Sequence, residues 1–213
     1  FMEKNKVLEI ELSNEILPKI LGDFDLNIKK IEKVYDVSLG ADICTWANTQ
    51  ALASGEHKKI ISQQCPVVVN YIQKHHPMLT DSLSKIQSPA GCLALWLRKY
   101  QNVEDDIYLI SPCIAKTSEA RQHQTFTYNI TFESLSKFLR QNQIELSDEN
   151  FEFDLNSGFM GKLYPRTGGF KENLLSMSPE LIIRTSSGRD VYSRLSSLAD
   201  TDYSLRPDVF DFL

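Results

Sequence analysis

The stretch Ile107-Tyr108-Leu109-Ile110-Ser111-Pro112-Cys113 constrains the fold of this chain more than any other. Four apolar residues in succession, opened by Asp105 and Asp106 and stopped by Pro112, predict a short strand buried on both faces. Such strands belong to parallel sheets whose crossovers are helices. In open α/β sheets ligand sites collect beyond the carboxyl ends of the strands. The side chains arriving at that edge are Cys113, a soft metal-binding thiol, and Lys116, a cation that can face an anion. Cys65 has the same setting, with Lys59-Ile60-Ile61 as the strand before it and Pro66 as the first residue of the helix after it.

The rest of the chain keeps the same alternation. Residues 7–12 alternate apolar with acidic and predict a strand; 14–21 and 26–32 predict short helices. Lys33 to Val37 predicts another strand, turning at Gly40, with Asp42 capping a helix from Ile43 to about Ser54. A helix from Pro66 to about His76 follows, then a short one over 81–86. Ser88-Pro89 supplies a cap and first residue for the helix 90–100, whose Leu93, Trp96, Leu97 and Tyr100 form an apolar face. Strand 126–130 and helix 132–141 come next. After an acidic, turn-rich stretch and the loop Thr167-Gly168-Gly169, the order is helix 170–177, strand 181–184, helix 191–198 and a strand from Val209. Strands alternating with helices place the chain in the α/β class with parallel sheets.

A chain of 213 residues, 42% hydrophobic and 24% charged, buries a full core as one large domain or two small lobes. Its net charge of -5 and the lack of any Lys/Arg-rich run exclude a general nucleic-acid binder. No apolar run approaches the roughly 18 residues of a membrane span. No apolar signal segment follows Phe1-Met2-Glu3-Lys4, so the expected location is cytoplasmic. Cys44, Cys65, Cys92 and Cys113 include no C-x-x-C pair, which argues against a disulfide framework and a self-contained zinc site. Cys65, at the start of a helix, sits where unpaired N–H groups and the helix dipole favour the thiolate a metal binds.

In order and spacing these segments resemble the C-terminal H-cluster domain of iron-only (FeFe) hydrogenases. Val34-Tyr35-Asp36 with Gly40-Ala41-Asp42 is similar to the family's V-Y-D-x-x-x-G-A-D, Gln64-Cys65-Pro66 to its T-S-C-C-P, and Ser88-Pro89 to its K-S-P. Ser111-Pro112-Cys113-Ile114-Ala115-Lys116-Thr117-Ser118-Glu119 resembles its M-P-C-x-A-K-x-x-E, and 159–169 the segment ending in T-G-G. The three strongest motifs together are specific, and each alone is weak.

The resemblance implies a fold of two lobes of mainly parallel sheet flanked by helices, with a cleft between the lobes. It implies a 4Fe–4S cluster, with or without a linked two-iron unit, in the full-length protein, while a fragment alone can be empty. Cys65 and Cys113 take the family's ligand positions, and Lys116 the position of a lysine that contacts a cyanide of the two-iron unit. Ser111, Pro112, Gln64, Gly168 and Gly169 occupy other cofactor-lining positions.

Three departures limit the function carried over. Gln64 replaces the family's proton-passing cysteine, and an amide is neither acid nor base near neutral pH. Ala47-Asn48-Thr49-Gln50-Ala51 stands where the family has proton-carrying glutamates. The family's third motif, C-x-x-x-C, is expected beyond residue 213, and two cysteines do not close a four-thiolate cluster. The expectation is therefore one hydrogenase-like domain, 1–213, acting as a redox or hydrogen sensing module without confident catalytic residues. Its expected partners are a ferredoxin-like electron carrier or fused iron–sulfur and signalling domains. A catalytic hydrogenase with its proton path rerouted, for example through Glu119, is the first alternative; a metal-free structural or partner-binding domain is the second.

Overall fold

The computed structural model of the chain describes residues 33–54, 59–141, 143–144, 152–200 and 208–212. The strand expected over 7–12 and the helices over 14–21 and 26–32 lie outside them. Helices α1 (Val37–Ala53), α2 (Pro66–His75), α3 (Pro89–Tyr100) and α4 (Lys116–His123) alternate with strands β1 (Lys59–Ile61) and β2 (Tyr108–Ser111). Strand β3 (Tyr128–Thr131), α5 (Phe132–Gln141), α6 (Gly169–Met177), β4 (Ile182–Ser186), α7 (Asp190–Asp200) and β5 (Asp208–Phe212) complete the order. Two 3-10 turns, Pro77–Ser82 and Met160–Leu163, sit between helices. No helix among the described residues is long and apolar enough to cross a membrane.

Among the described residues all strand pairs are parallel and fall into two sheets, one per lobe. In the first, β5 lies between β1 and β4, with Val209 opposite both Ile60 and Ile183. In the second, β2 pairs with β3, with Ile110 opposite Ile130. Side chains alternate across a strand, so β5 feeds two cores at once. Val209, Ile60 and Ile183 pack with Cys44, Phe170 and Leu174 from α1 and α6. Phe210, Phe212 and Ile61 pack on the other face with Val68 and Ile72 of α2 and Leu195 and Leu198 of α7. Burying the two phenylalanines contributes on the order of 3–6 kcal/mol. Asp211, a carboxyl with no exposure, lies between them in sequence and points to the opposite face.

Helix α1 begins six residues before the start expected from the sequence. Asp36, not Asp42, caps it: its carboxylate accepts from the Ser38 N–H at 2.9 Å. Burial disfavours that carboxylate, but hydrogen bonds from Ser157 and Ser38 outweigh it and hold the pKa below the usual value. Residues 33–36 join no strand, so the strand expected there is absent; Val34 is held by Asp154 instead, donating to its carboxylate at 2.6 Å and accepting its N–H at 3.0 Å. Gly40, read as a turn, is inside the helix. A Cβ there would overlap the Pro89 carbonyl oxygen and come within 2.7 Å of the Leu93 Cβ, so glycine is what lets α1 and α3 cross. Asp42 accepts backbone N–H groups of Phe159 and Gly161 at 2.6 and 2.5 Å, pinning the 158–163 segment onto α1.

Other differences have equally local causes. Ile110, expected inside a doubly covered strand, is 47% exposed, because only one face of β2 meets the core formed by Leu109, Ala90, Ala94, Ala120 and Phe126. The helix expected over 81–86 gives way after Ser82, where Leu83 bridges to Ile61 instead. Helix α4 escaped sequence reading because it has no apolar stripe: Lys-Thr-Ser-Glu-Ala-Arg-Gln-His buries only Glu119 and Ala120.

The α1–α3 crossing is the joint to test. Gly40→Ala is expected to lower stability by about 1–3 kcal/mol, read as a fall in Tm, because the overlap is with backbone and the helices must separate. Unchanged Tm would mean that the helices do not meet at this glycine.

Candidate functional site

Both cysteine-bearing loops end at a helix N-terminus, and those two helices face each other. Cys65 is the N-cap of α2 but makes no side-chain capping bond, so its half-buried thiol is not used by the helix. Asn70 of α2 donates to the Ser118 hydroxyl of α4 at 3.4 Å, and Gln122 of α4 returns a bond to Asn70 at 3.4 Å. A cleft lined by Pro66, Val69, Gln87, Glu119 and His123 lies between these helices.

On the second loop, buried Ser111 closes β2, and its hydroxyl donates to the Asn129 side chain at 2.7 Å. The same oxygen receives the Cys113 N–H at 3.3 Å, while the Cys113 carbonyl accepts from Asn129 at 3.0 Å and from the Lys116 N–H at 3.3 Å. These contacts fix the Cys113 backbone and leave its thiol half-buried and unbonded to another sulfur. Pro112 beside it is exposed.

Lys116 joins the two loops. Its ammonium donates to the Gln64 carbonyl at 3.1 Å, which is the peptide entering Cys65, and to the Glu119 carboxylate at 2.6 Å. Glu119 is buried, and its other carboxylate oxygen accepts from the Ser88 hydroxyl. Ser88 also caps α3 through the Gly91 N–H at 3.3 Å. Two of the three ammonium protons are thus engaged among the described residues.

Gln64 points the other way. Its side-chain amide donates to Asp211, which also accepts from the Ser62 hydroxyl at 3.2 Å. Burial raises the Asp211 pKa to about 6, with the Ser62 bond pulling against it. The second oxygen of Asp211 and the amide oxygen of Gln64 are both buried without a partner. A proton on Asp211 would turn that oxygen into a donor beside a vacant acceptor, the pairing a neutral carboxyl makes with an amide.

Hydrogen bonds therefore join Ser111, the Cys113 backbone, Lys116 and the Gln64 carbonyl into one network, which Cys65 adjoins through its peptide bond to Gln64. Gly168 and Gly169 serve a different purpose: Gly168 adopts φ 81° at the start of α6, and a Cβ on Gly169 would overlap the Leu163 carbonyl. No described contact ties them to either cleft cysteine. Sequence reading missed Asp211 and the Ser88–Glu119 contact. The available signal was one acidic residue in the apolar run Val209-Phe210-Asp211-Phe212. Among the described residues no group of three or more His, Cys, Asp or Glu side chains is arranged to hold a metal.

Asp211 sets a pH dependence whose sign follows from its raised pKa. The folded state holds its proton more tightly than the unfolded chain, so the stabilisation is complete below about pH 4 and is lost as pH rises to about 6. Asp211→Asn stays neutral, so the stability of the variant minus that of the parent chain is expected to rise between pH 4 and 6 by up to about 3 kcal/mol, then level off. A difference that stays flat from pH 4 to 8, measured by denaturant titration, would refute the raised pKa.

Residues 25–201 match the family described as iron-only hydrogenase large subunit, C-terminal domain. The fold is similar to an apo form of a variant FeFe-hydrogenase HydA1 from Chlamydomonas reinhardtii, with TM-score 0.62 and 15% identity over 86% of this chain and 67% of that one. A second HydA1 variant from the same organism is similar over 95% of this chain and 71% of its own, with TM-score 0.61 and 15% identity.

Proposed function

Because the chain belongs to the family of the C-terminal domain of the iron-only hydrogenase large subunit, we propose that it is an iron–sulfur module for redox or hydrogen sensing. Cys65 and Cys113 supply two thiolates from facing helix starts, and Lys116 offers its remaining proton to an anionic edge of the cofactor. The observation that carries this reading is the Lys116 ammonium on the Gln64 carbonyl, which holds a cation between the two cysteine-bearing loops. The donor set fits a soft, anionic iron–sulfur group in chemistry but supplies only half of its thiolates. Cys44 and Cys92 are buried in the core, and this reading takes the other two thiolates from the third motif, C-x-x-x-C, that the resemblance implies. When bound, such a cluster supplies one-electron redox capacity.

Sensing is favoured over turnover by what stands at the family's proton-carrying positions. Gln64 cannot move a proton near neutral pH, and its amide is held against Asp211. Asn48 donates to the Cys44 carbonyl at 2.8 Å and Thr49 to the Thr45 carbonyl at 3.0 Å, so neighbouring polar groups of α1 hold the helix and carry no titrating proton. The partners of this reading are a ferredoxin-like carrier or fused iron–sulfur and signalling domains, in the cytoplasm. A catalytic second reading rests on one observation, the buried carboxylate of Glu119 between Ser88 and Lys116 on the cleft wall.

Anaerobic reconstitution of the full-length protein tests the proposal. Iron and sulfide are expected to bind, Cys65→Ala and Cys113→Ala each to lower iron content at least several-fold, and hydrogen evolution from a reduced artificial donor to stay at background. Iron bound equally by both variants would remove the assigned ligands. Robust hydrogen evolution lost in Glu119→Gln would replace sensing with catalysis.

A further inference from the structure

Cys44 and Cys92 are the cysteines that the cleft does not use, and they face each other. Cys44 lies on α1 and Cys92 on α3, both as buried free thiols in the same apolar cluster. Both S–H groups reach one acceptor, the Gln87 carbonyl oxygen, at 3.3 and 3.2 Å. Filling a core needs no such convergence, since an isolated buried cysteine serves as a small hydrophobe. The helix crossing creates it. Gly40 brings α1 against Pro89 and Leu93; Cys44 is one turn beyond Gly40 on the same face, and Cys92 one turn beyond Pro89. A crossing this close brings the backbones toward the separation of less than about 7 Å that a disulfide spans.

We propose that Cys44 and Cys92 form a reversible intramolecular disulfide, a two-electron modification site independent of the cleft cysteines. The oxidant class is a small neutral peroxide, as burial of both sulfurs requires. The Cys44 thiolate attacks one peroxide oxygen, the O–O bond breaks, and the departing hydroxide takes up a proton as water, leaving a sulfenic acid on Cys44. The Cys92 sulfur then attacks the Cys44 sulfur; the S–S bond forms, the S–O bond breaks, and the leaving hydroxide departs as water with the Cys92 proton. Two thiols lose two electrons and two protons, and one hydrogen peroxide becomes two waters. The Cys44 sulfur lies 3.4 Å from the Tyr164 hydroxyl and receives the Asn48 side-chain amide at 3.5 Å, donors that stabilise a thiolate there; this makes Cys44 the first nucleophile.

Oxidation would also remove both S–H donors from Gln87. The Gln87 side chain contacts His123 on α4 at 3.3 Å, and its neighbour Ser88 holds Glu119, the partner of Lys116. The pair therefore adjoins the cleft without belonging to it.

The test uses the 213-residue chain carrying C65A and C113A, treated with hydrogen peroxide, then alkylated under denaturing conditions. Alkylatable thiols are expected to fall from two to none and return to two after dithiothreitol, with a cross-linked peptide containing Cys44 and Cys92. Two thiols still alkylatable, or oxygen added separately to each sulfur, would overturn the proposal. Peptide mapping of the otherwise unaltered chain keeps the test valid if that variant misfolds: a Cys44–Cys92 cross-link supports the pair, and its absence after peroxide treatment refutes it. Neither measurement depends on iron, so failure here leaves the cluster proposal standing.

Discussion

The ammonium of Lys116 is the contact on which the cleft depends. Lys116 stands on α4 in the two-stranded lobe, and the carbonyl it binds belongs to the loop leaving β1 in the three-stranded lobe. A half-buried cation costs several kcal/mol to desolvate unless it is paired and hydrogen-bonded. Glu119 supplies the opposite charge from one turn along the same helix, and Ser88 satisfies the carboxylate oxygen that the lysine does not reach. The charge is balanced inside one lobe and spends a remaining donor on the other. That division lets the cation hold two cysteine-bearing loops together.

Helix α1 acts as the second organising element, though it contributes no side chain to the cleft cysteines. Its Gly40 admits α3, its Asp42 receives two backbone N–H groups of the 158–163 segment, and its Ser38 hydroxyl receives a third from Gly158 at 2.9 Å. Backbone approaches closely at Gly40, Gly158 and Gly161, and short side-chain acceptors receive backbone N–H groups at Ser38 and Asp42, so small residues and short polar acceptors are required where bulk would separate the elements. The same close approach sets Cys44 against Cys92. A feature that packs the lobe thus also creates a pair of thiols with its own chemistry, one peptide away from the serine that supports Glu119.

Much of the fold was legible because alternation and punctuation are local signals. Pro66 and Ser88-Pro89 marked the starts of α2 and α3 correctly, since a proline fits the first helical turn and a serine hydroxyl caps it. The motifs G-A-D, C-P and P-C-x-A-K-x-x-E identified the family through their separations, and residues 25–201 match it. Sequence failed where one residue type serves two purposes. Gly40 reads equally as a turn and as a crossing point, and Asp42 equally as a cap and as a receiver of distant N–H groups. Helix α4 carries no apolar periodicity, because its buried contact is a charged one through Glu119.

By itself the sequence determined the α/β class, the parallel strands and the two cysteines that follow them, because those rest on hydrophobic patterning and chain stiffness within a few residues. Only the tertiary structure decided that Lys116 reaches the peptide before Cys65, that Gln64 turns inward to a carboxyl held neutral up to about pH 6, and that Cys44 meets Cys92. Those contacts join residues 48 to 147 positions apart. Burial and the angle at which helices cross set them, and neither quantity exists before the chain has packed.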